Sequence, residues 1–116
     1  TKQQKGQEDF LHAPILYPVL FTVPEARLAE FDAWYDEDHV PTLLESPDWL
    51  GCRRFEIVAG GPDPFNRLAL HYLANARALE SDARAKARAS EWRARLATEA
   101  WFKGRYMEFD RLGHGF

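Results

Sequence analysis

Residues 15–23 (ILYPVLFTV) are apolar at almost every position and include several β-branched and aromatic side chains. A strand with one wet face alternates apolar and polar residues, whereas a strand covered on both faces is apolar throughout. This segment therefore predicts a strand that is buried on both faces. Pro18 removes one backbone N–H from it, so we expect a bulge or an unpaired position there.

The elements after this strand predict an α+β domain of ferredoxin-like βαββαβ order. Pro41 disfavours helical geometry at Val40 and so predicts the end of the first helix near His39. The expected architecture is a four-stranded antiparallel sheet with two helical regions on one face. The predicted bounds are a helix over 24–39, strands over 50–59 and 66–74, a helical region over 76–102 that breaks near Ser90, and a strand over 105–112.

The second face of this sheet needs a cover that the chain itself does not supply. Two helical regions cover only one face of a four-stranded sheet, yet the strand over 15–23 is predicted to be buried on both. The same face of another copy is the simplest cover, because most soluble oligomers are symmetric homo-oligomers. The sequence therefore predicts a homodimer through sheet faces.

The length and composition predict a single soluble globular domain. The chain has 116 residues, and residues 1–9 include no aliphatic side chain. We therefore expect a flexible N-terminal arm over 1–12 and a single domain over 13–116. The net charge of −3 argues against a nucleic-acid partner. No apolar run has transmembrane length and the N-terminus lacks a signal-peptide pattern, so we expect a cytoplasmic protein without a membrane partner.

His39 is the candidate catalytic residue. Helical spacing places it on one stripe with Leu28, Phe31 and Tyr35, so we expect its ring to face the sheet and a pocket. The helix end favours the imidazolium and burial disfavours it, which predicts a pKa near neutrality that suits proton transfer. A histidine that only caps the helix end is the alternative.

Other side chains are candidates for the wall of the pocket. The Tyr35 hydroxyl could orient a substrate, or Tyr35 could be an ordinary core tyrosine. His71 and Tyr72 share a strand and must point to opposite faces, so at most one of them reaches a given pocket. The expected substrate-binding residues are Phe31, Trp34, Trp49, Tyr17 and His71, of which the two tryptophans could instead be packing anchors.

Several other chemistries are not expected. Asp36 and Asp38 lie about 200° apart on a helix and cannot chelate a metal together, so no metal site is predicted. Cys52 is the single cysteine and suits a small buried apolar position better than a nucleophile. The arginine-rich stretch over 76–95 also carries acidic residues, which favours a solvated helix face over an anion-binding patch.

The stretch over 31–55 (FDAWYDEDHVPTLLESPDWLGCRRF) resembles the EthD-like group of the dimeric α/β-barrel superfamily. With the βαββαβ order, the resemblance extends over about 15–112 and implies a dimeric α/β barrel. Where relatives often have Pro-Gly before the second strand, this chain has the bulky Trp49, which could narrow the pocket entrance. The matching residues are Trp34-Tyr35, His39 and Pro41, Pro47, and the strand Gly51-x-Arg53-Arg54-Phe55.

The superfamily includes cofactor-free isomerases, polyketide cyclases, quinone-forming monooxygenases and haem enzymes. The resemblance to methylmuconolactone methylisomerases implies an acid/base role for His39 and an orienting role for Tyr35, with no cofactor. We therefore expect a cofactor-free enzyme with isomerase-, cyclase- or decarboxylase-like chemistry on a small aromatic or lactone-type metabolite. The alternatives are a non-catalytic small-molecule binding protein and a cofactor-free monooxygenase of a phenolic substrate.

Overall fold

Strands from both ends of the chain flank a central pair in one antiparallel sheet. The computed structural model describes residues 2–5, 10–59 and 64–111, and six strands lie within them. Their bounds are β1 Lys2–Lys5, β2 Ile15–Phe21, β3 Trp49–Glu56, β4 Arg67–Leu73, β5 Arg105–Tyr106 and β6 Phe109–Asp110. The strands follow the order β1-β3-β4-β2-β5, and β6 also pairs with β2, farther along the strand than β5.

Both helical regions pack on the same face of this sheet. Val19 and Ala69 are paired across β2 and β4 and bury against the first helical region, while Ile15 and Leu73 bury against Ala87 of the second. The predicted α+β ferredoxin-like class is therefore confirmed, but the sheet has more than the four expected strands because β1 adds one beside β3. The first region consists of a 3₁₀ turn Glu25–Arg27, α1 Leu28–Trp34, a π-helical turn Tyr35–His39 and α2 Val40–Leu43. The second consists of a 3₁₀ turn Ala76–Glu80, α3 Asp82–Arg88 and α4 Glu91–Leu96.

The first helical region passes through Pro41, and the prediction that it ends near His39 is wrong. Val40 is helical at φ −65° and ψ −45°, and its N–H donates to the carbonyl of Tyr35, five residues back. This π turn shifts the hydrogen-bond register, so Pro41 falls in the first turn of α2, where a missing N–H is tolerated. Val40 and Leu43 are almost completely buried, which adds a packing gain that the local rule ignores.

Pro18 is accommodated without a bulge. The register between β2 and β4 runs through Pro18 without a shift. On the other side, β2 pairs with β5 at Val19 and with β6 at Leu16, and the ladder is interrupted between them. The missing N–H of Pro18 therefore coincides with the break that divides the last strand into two short pieces.

The second sheet face is partly covered by the segment that precedes β2. β1 pairs with β3, and Phe10, at the start of a 3₁₀ turn Phe10–His12, is buried against the Tyr72 ring with 4.9 Å between centroids. Within the expected N-terminal arm, β1 thus extends the edge of the sheet and Phe10 covers part of its second face. Gly51 makes room for Phe10 because a Cβ there would overlap its ring. Leu20 and Leu68, farther along the same face, are half-buried.

Candidate functional site

A cavity lies between the first sheet face and the two helical regions. Its free volume is about 20 Å³, room for one water-sized occupant. This is far below the volume of a typical small-molecule site, so a larger ligand would have to bind at the mouth of the cavity. The side chains that matter for its chemistry are Tyr17, Trp34, Tyr35, His39, Trp49, His71, Arg84, Arg88, Arg93 and Tyr106.

His39 ends the π turn and lines this cavity at 9% exposure. Its ring stacks on Trp34 at 4.7 Å between centroids and meets the edge of Tyr35 at 4.9 Å. Within the described residues its Nδ1 has no hydrogen-bond partner. The side chain is therefore held by aromatic packing, and its Nδ1 is itself buried.

The imidazole of His39 is neutral at physiological pH. Burial, followed by the neighbouring His71 and Arg93, holds its pKa well below the ordinary histidine value. The expected pKa near neutrality is therefore not what the surroundings produce. The helix continues beyond His39 to Leu43, so the favourable dipole of a helix end does not act at this position.

A hydrogen-bonded chain runs from Trp49 through His71 to Tyr35 beneath the cavity. Trp49 Nε1 donates to His71 Nδ1 at 3.0 Å, and His71 Nε2 lies 2.8 Å from the Tyr35 hydroxyl oxygen. Burial lowers the pKa of His71 to about 3, so this imidazole is neutral and carries one proton. An indole nitrogen only donates, so the proton is on Nε2 and is donated to Tyr35.

This tautomer sets what the Tyr35 hydroxyl can do. Its oxygen accepts from His71, so its own proton is not used in that bond. Burial raises the pKa of Tyr35 well above the ordinary phenol value, so the group stays protonated. Tyr35 is thus a hydrogen-bond donor in the wall of the cavity rather than a base.

An ionic network behind Tyr35 fixes the helix to the sheet. Arg54 is buried over the Tyr35 ring at 4.7 Å and forms ion pairs with Asp32 at 2.7 Å and Asp36 at 2.8 Å. Burial alone would raise the pKa of Asp32, but hydrogen bonds from Arg67 and Arg54 lower it. Asp36 is therefore paired with Arg54, whose guanidinium packs on the Tyr35 ring.

The structure brings together six of the seven residues that the sequence singles out. Tyr17, Trp34, Tyr35, His39, Trp49 and His71 all line the cavity. Phe31 instead packs in the core between Phe21 and Trp34 and is not part of this lining. His71 is the residue of the His71/Tyr72 pair that reaches the cavity, since Tyr72 packs against Phe10 on the other face. Whether these residues bind a substrate stays a prediction.

Comparison with known proteins bears on the fold. Among solved structures, the chain resembles the crystal structure of an ethyl tert-butyl ether D (EthD) family protein from Bacillus halodurans C-125. The two share 19% identity with a TM-score of 0.52, over 84% of this chain and 98% of that chain. The chain has an EthD-like fold. No family model and no curated protein matches it.

Three arginines line the cavity, although the sequence favoured a solvated helix face over an anion-binding patch for this stretch. Arg84 and Arg88 come from α3 and Arg93 from α4, so the arginine-rich stretch is not simply a solvated face. Arg84 and Arg88 are four residues apart and share a face of α3, which is a visible signal. Arg93 joins them only because Ser90 caps a new helix, accepting from the Arg93 N–H at 3.0 Å.

The described part of the chain does not support a metal site, a reactive cysteine or a membrane-spanning helix. No group of three or more His, Cys, Asp or Glu side chains in residues 2–5, 10–59 and 64–111 could hold a metal ion. Burial raises the pKa of Cys52 to about 12, so its thiol is a poor nucleophile. None of the helices in these ranges is both long enough and apolar enough to cross a bilayer.

Proposed function

We propose that this protein is a cofactor-free enzyme in which His39 performs acid/base chemistry on a small aromatic or lactone-type metabolite. The observation that carries the proposal is the buried, neutral His39 imidazole in the cavity wall, whose Nδ1 is unpartnered within the described residues. Tyr35, at 4.9 Å between ring centroids, offers an O–H donor beside it. A base and a donor on one wall are what proton transfer next to a carbonyl requires.

The proposed reaction begins with removal of a proton from a carbon next to the substrate carbonyl. The electron pair of that C–H bond moves toward the carbonyl oxygen, and the Tyr35 hydroxyl donates to the oxyanion that develops there. The proton on His39 then returns to a different atom of the same substrate, which completes an isomerisation without any other reactant. Burial lowers the pKa of His39, which makes its imidazolium a ready proton donor but its neutral ring a weak base for the first step.

The surroundings of His39 support this division of roles. His71 has both ring nitrogens occupied, by Trp49 and by Tyr35, so it positions Tyr35 and does not exchange protons with a substrate. Trp34 and Tyr17 supply apolar surface for a planar ligand. The free volume of the cavity, about 20 Å³, is too small for such a ligand, so we propose that the ligand occupies the mouth and reaches His39 with its reacting edge.

A non-catalytic binding protein is the second candidate. The predominance of aromatic side chains in the wall favours it, since such a wall binds planar compounds without assistance from a base. Cofactor-free oxygenation of a phenol is a further alternative, and the test described next detects it because that reaction would consume O₂.

The test begins with a metabolite screen by thermal shift and continues with turnover and O₂ uptake of each binder. We expect His39→Gln to lose about 10²–10⁴-fold in rate, the usual contribution of a general acid or base. His12→Gln is the matched control, because His12 is exposed on the 3₁₀ turn before β2. Equal turnover of wild type and His39→Gln would overturn the acid/base mechanism. Tight binding with no turnover in either would favour the binding protein.

A further inference from the structure

Arg84, Arg88 and Arg93 place three positive charges around the cavity, and no carboxylate in the cavity lining balances them. The lining contains no Asp or Glu. In the part of the chain that the structure describes, the ion pairs are made by Arg27, Arg54, Arg67 and Lys86, and by none of these three arginines. The two imidazoles of the lining are neutral.

The three guanidinium groups are held in place by aromatic rings and a carbonyl. Arg88 lies over the Tyr106 ring at 5.9 Å, and Arg93 lies over the Phe102 ring at 5.3 Å. Arg84 Nη1 donates to the carbonyl of Leu79 at 3.1 Å. Each guanidinium has five N–H donors, so these contacts orient the groups and leave donors for a ligand.

This arrangement is electrostatically unfavourable in the absence of a ligand. Arg93 is half-buried, and burial together with Arg88 lowers its pKa, although a hydrogen bond to Tyr106 partly opposes this. Arg84 and Arg93 are half-buried, so the repulsion between these two like charges is screened less than it would be on an open surface. An anion would relieve this repulsion and satisfy the free donors at once.

We infer that Arg84, Arg88 and Arg93 form an anion subsite that binds the carboxylate of a small planar ligand at the mouth of the cavity. A carboxylate matches the planar fork of a guanidinium in a bidentate contact. The aromatic wall beyond the arginines suits the remainder of an aromatic or unsaturated acid. This inference deepens the proposed function and rests on it for the claim that the ligand is a substrate. It adds that the substrate is an acid rather than a neutral compound.

Binding of benzoate and benzamide, measured by calorimetry, tests the subsite without any turnover. The two probes have the same planar shape, and only benzoate carries the charge. We expect wild type to bind benzoate at least about 10-fold more tightly than benzamide, and salt to weaken benzoate binding alone. We expect Arg93→Gln and Arg88→Gln each to weaken benzoate binding by about 10-fold or more, since a hydrogen bond to a charged group is lost.

Arg95→Gln is the matched control, because Arg95 lies on α4 but is exposed and outside the cavity lining. Arg88 is itself exposed, so its variant keeps the test valid if Arg93→Gln disturbs folding. Equal binding of the two probes, no benzoate binding at millimolar concentrations, or equal effects of Arg95→Gln and Arg88→Gln would each overturn the subsite. Benzoate binding is measured without turnover, so it tests the subsite separately from the proposed catalysis. Normal benzoate binding by His39→Gln would support the subsite even if that variant never turns over a substrate.

Discussion

Replacing Tyr35 with Phe tests the hydrogen-bonded chain at the base of the cavity. Tyr35 is 1% exposed, and its hydroxyl oxygen accepts from His71 Nε2 at 2.8 Å. The substitution keeps the ring, and with it the contact to Arg54 at 4.7 Å and to His39 at 4.9 Å. Only one oxygen is removed, which leaves a buried N–H of His71 without an acceptor.

The expected cost follows from that orphaned donor. An unsatisfied buried polar group destabilises a protein by about 1–3 kcal/mol. With a urea m-value of about 1–3 kcal/mol per molar, a loss of ~2 kcal/mol moves the unfolding midpoint by roughly 1 M. We also expect a loss of about 10²–10³-fold in rate on any substrate, because the donor to the developing oxyanion is gone.

The matched control is Tyr72→Phe. Tyr72 is also buried, but it packs against Phe10 on the opposite sheet face, away from the cavity. We expect it to change stability far less than Tyr35→Phe and to leave the rate unchanged. The assays are urea unfolding followed by tryptophan fluorescence, and ¹⁵N NMR of His71. A Tyr35→Phe protein as stable as Tyr72→Phe, or a wild-type His71 protonated on Nδ1, would refute the assigned chain.

Three further predictions concern stability and assembly. The pKa of His71 is about 3 in the folded protein and near 6.5 when unfolded, so the unfolded state takes up a proton first as pH falls. We expect this group to reduce the free energy of unfolding by about 1.4 kcal/mol per pH unit as the pH falls from ~6.5 to about 3, and a flat acid profile would contradict it. Gly51→Ala should destabilise by about 1–3 kcal/mol because the new methyl group displaces Phe10, and an unchanged melting temperature would argue against that contact. We propose that the half-buried face with Leu20 and Leu68 forms a homodimer, so Leu20→Arg should yield monomers in sedimentation, whereas a monomeric wild type would refute it.

Local patterns predicted most of the architecture. The apolar run that contains β2 is a signal that few alternative folds can satisfy. The helix caps at Asn75 and Ser90 are also local, because each side chain accepts a backbone N–H two or three residues ahead of it. Pro41 misled the prediction because the π turn before it and the burial of Val40 are consequences of tertiary packing.

The site was only partly predictable, for a physical reason. His39 and Tyr35 share a helical stripe, which sequence spacing reveals. The link from Tyr35 to His71 joins residues 36 positions apart, and the link from Trp49 to His71 joins residues 22 apart. Their pairing depends on how helix and sheet pack, as does the low pKa of His39, which follows from burial.

The most direct test of acid/base catalysis at His39 is the transfer of deuterium from solvent to a bound substrate. Once the metabolite screen provides a substrate, NMR in D₂O measures the rate at which its carbon-bound protons are replaced. We predict exchange by the wild-type protein and a loss of about 10²–10⁴-fold in His39→Gln, with His12→Gln unchanged. Undiminished exchange in His39→Gln, or wild-type turnover that incorporates no deuterium, would contradict the account.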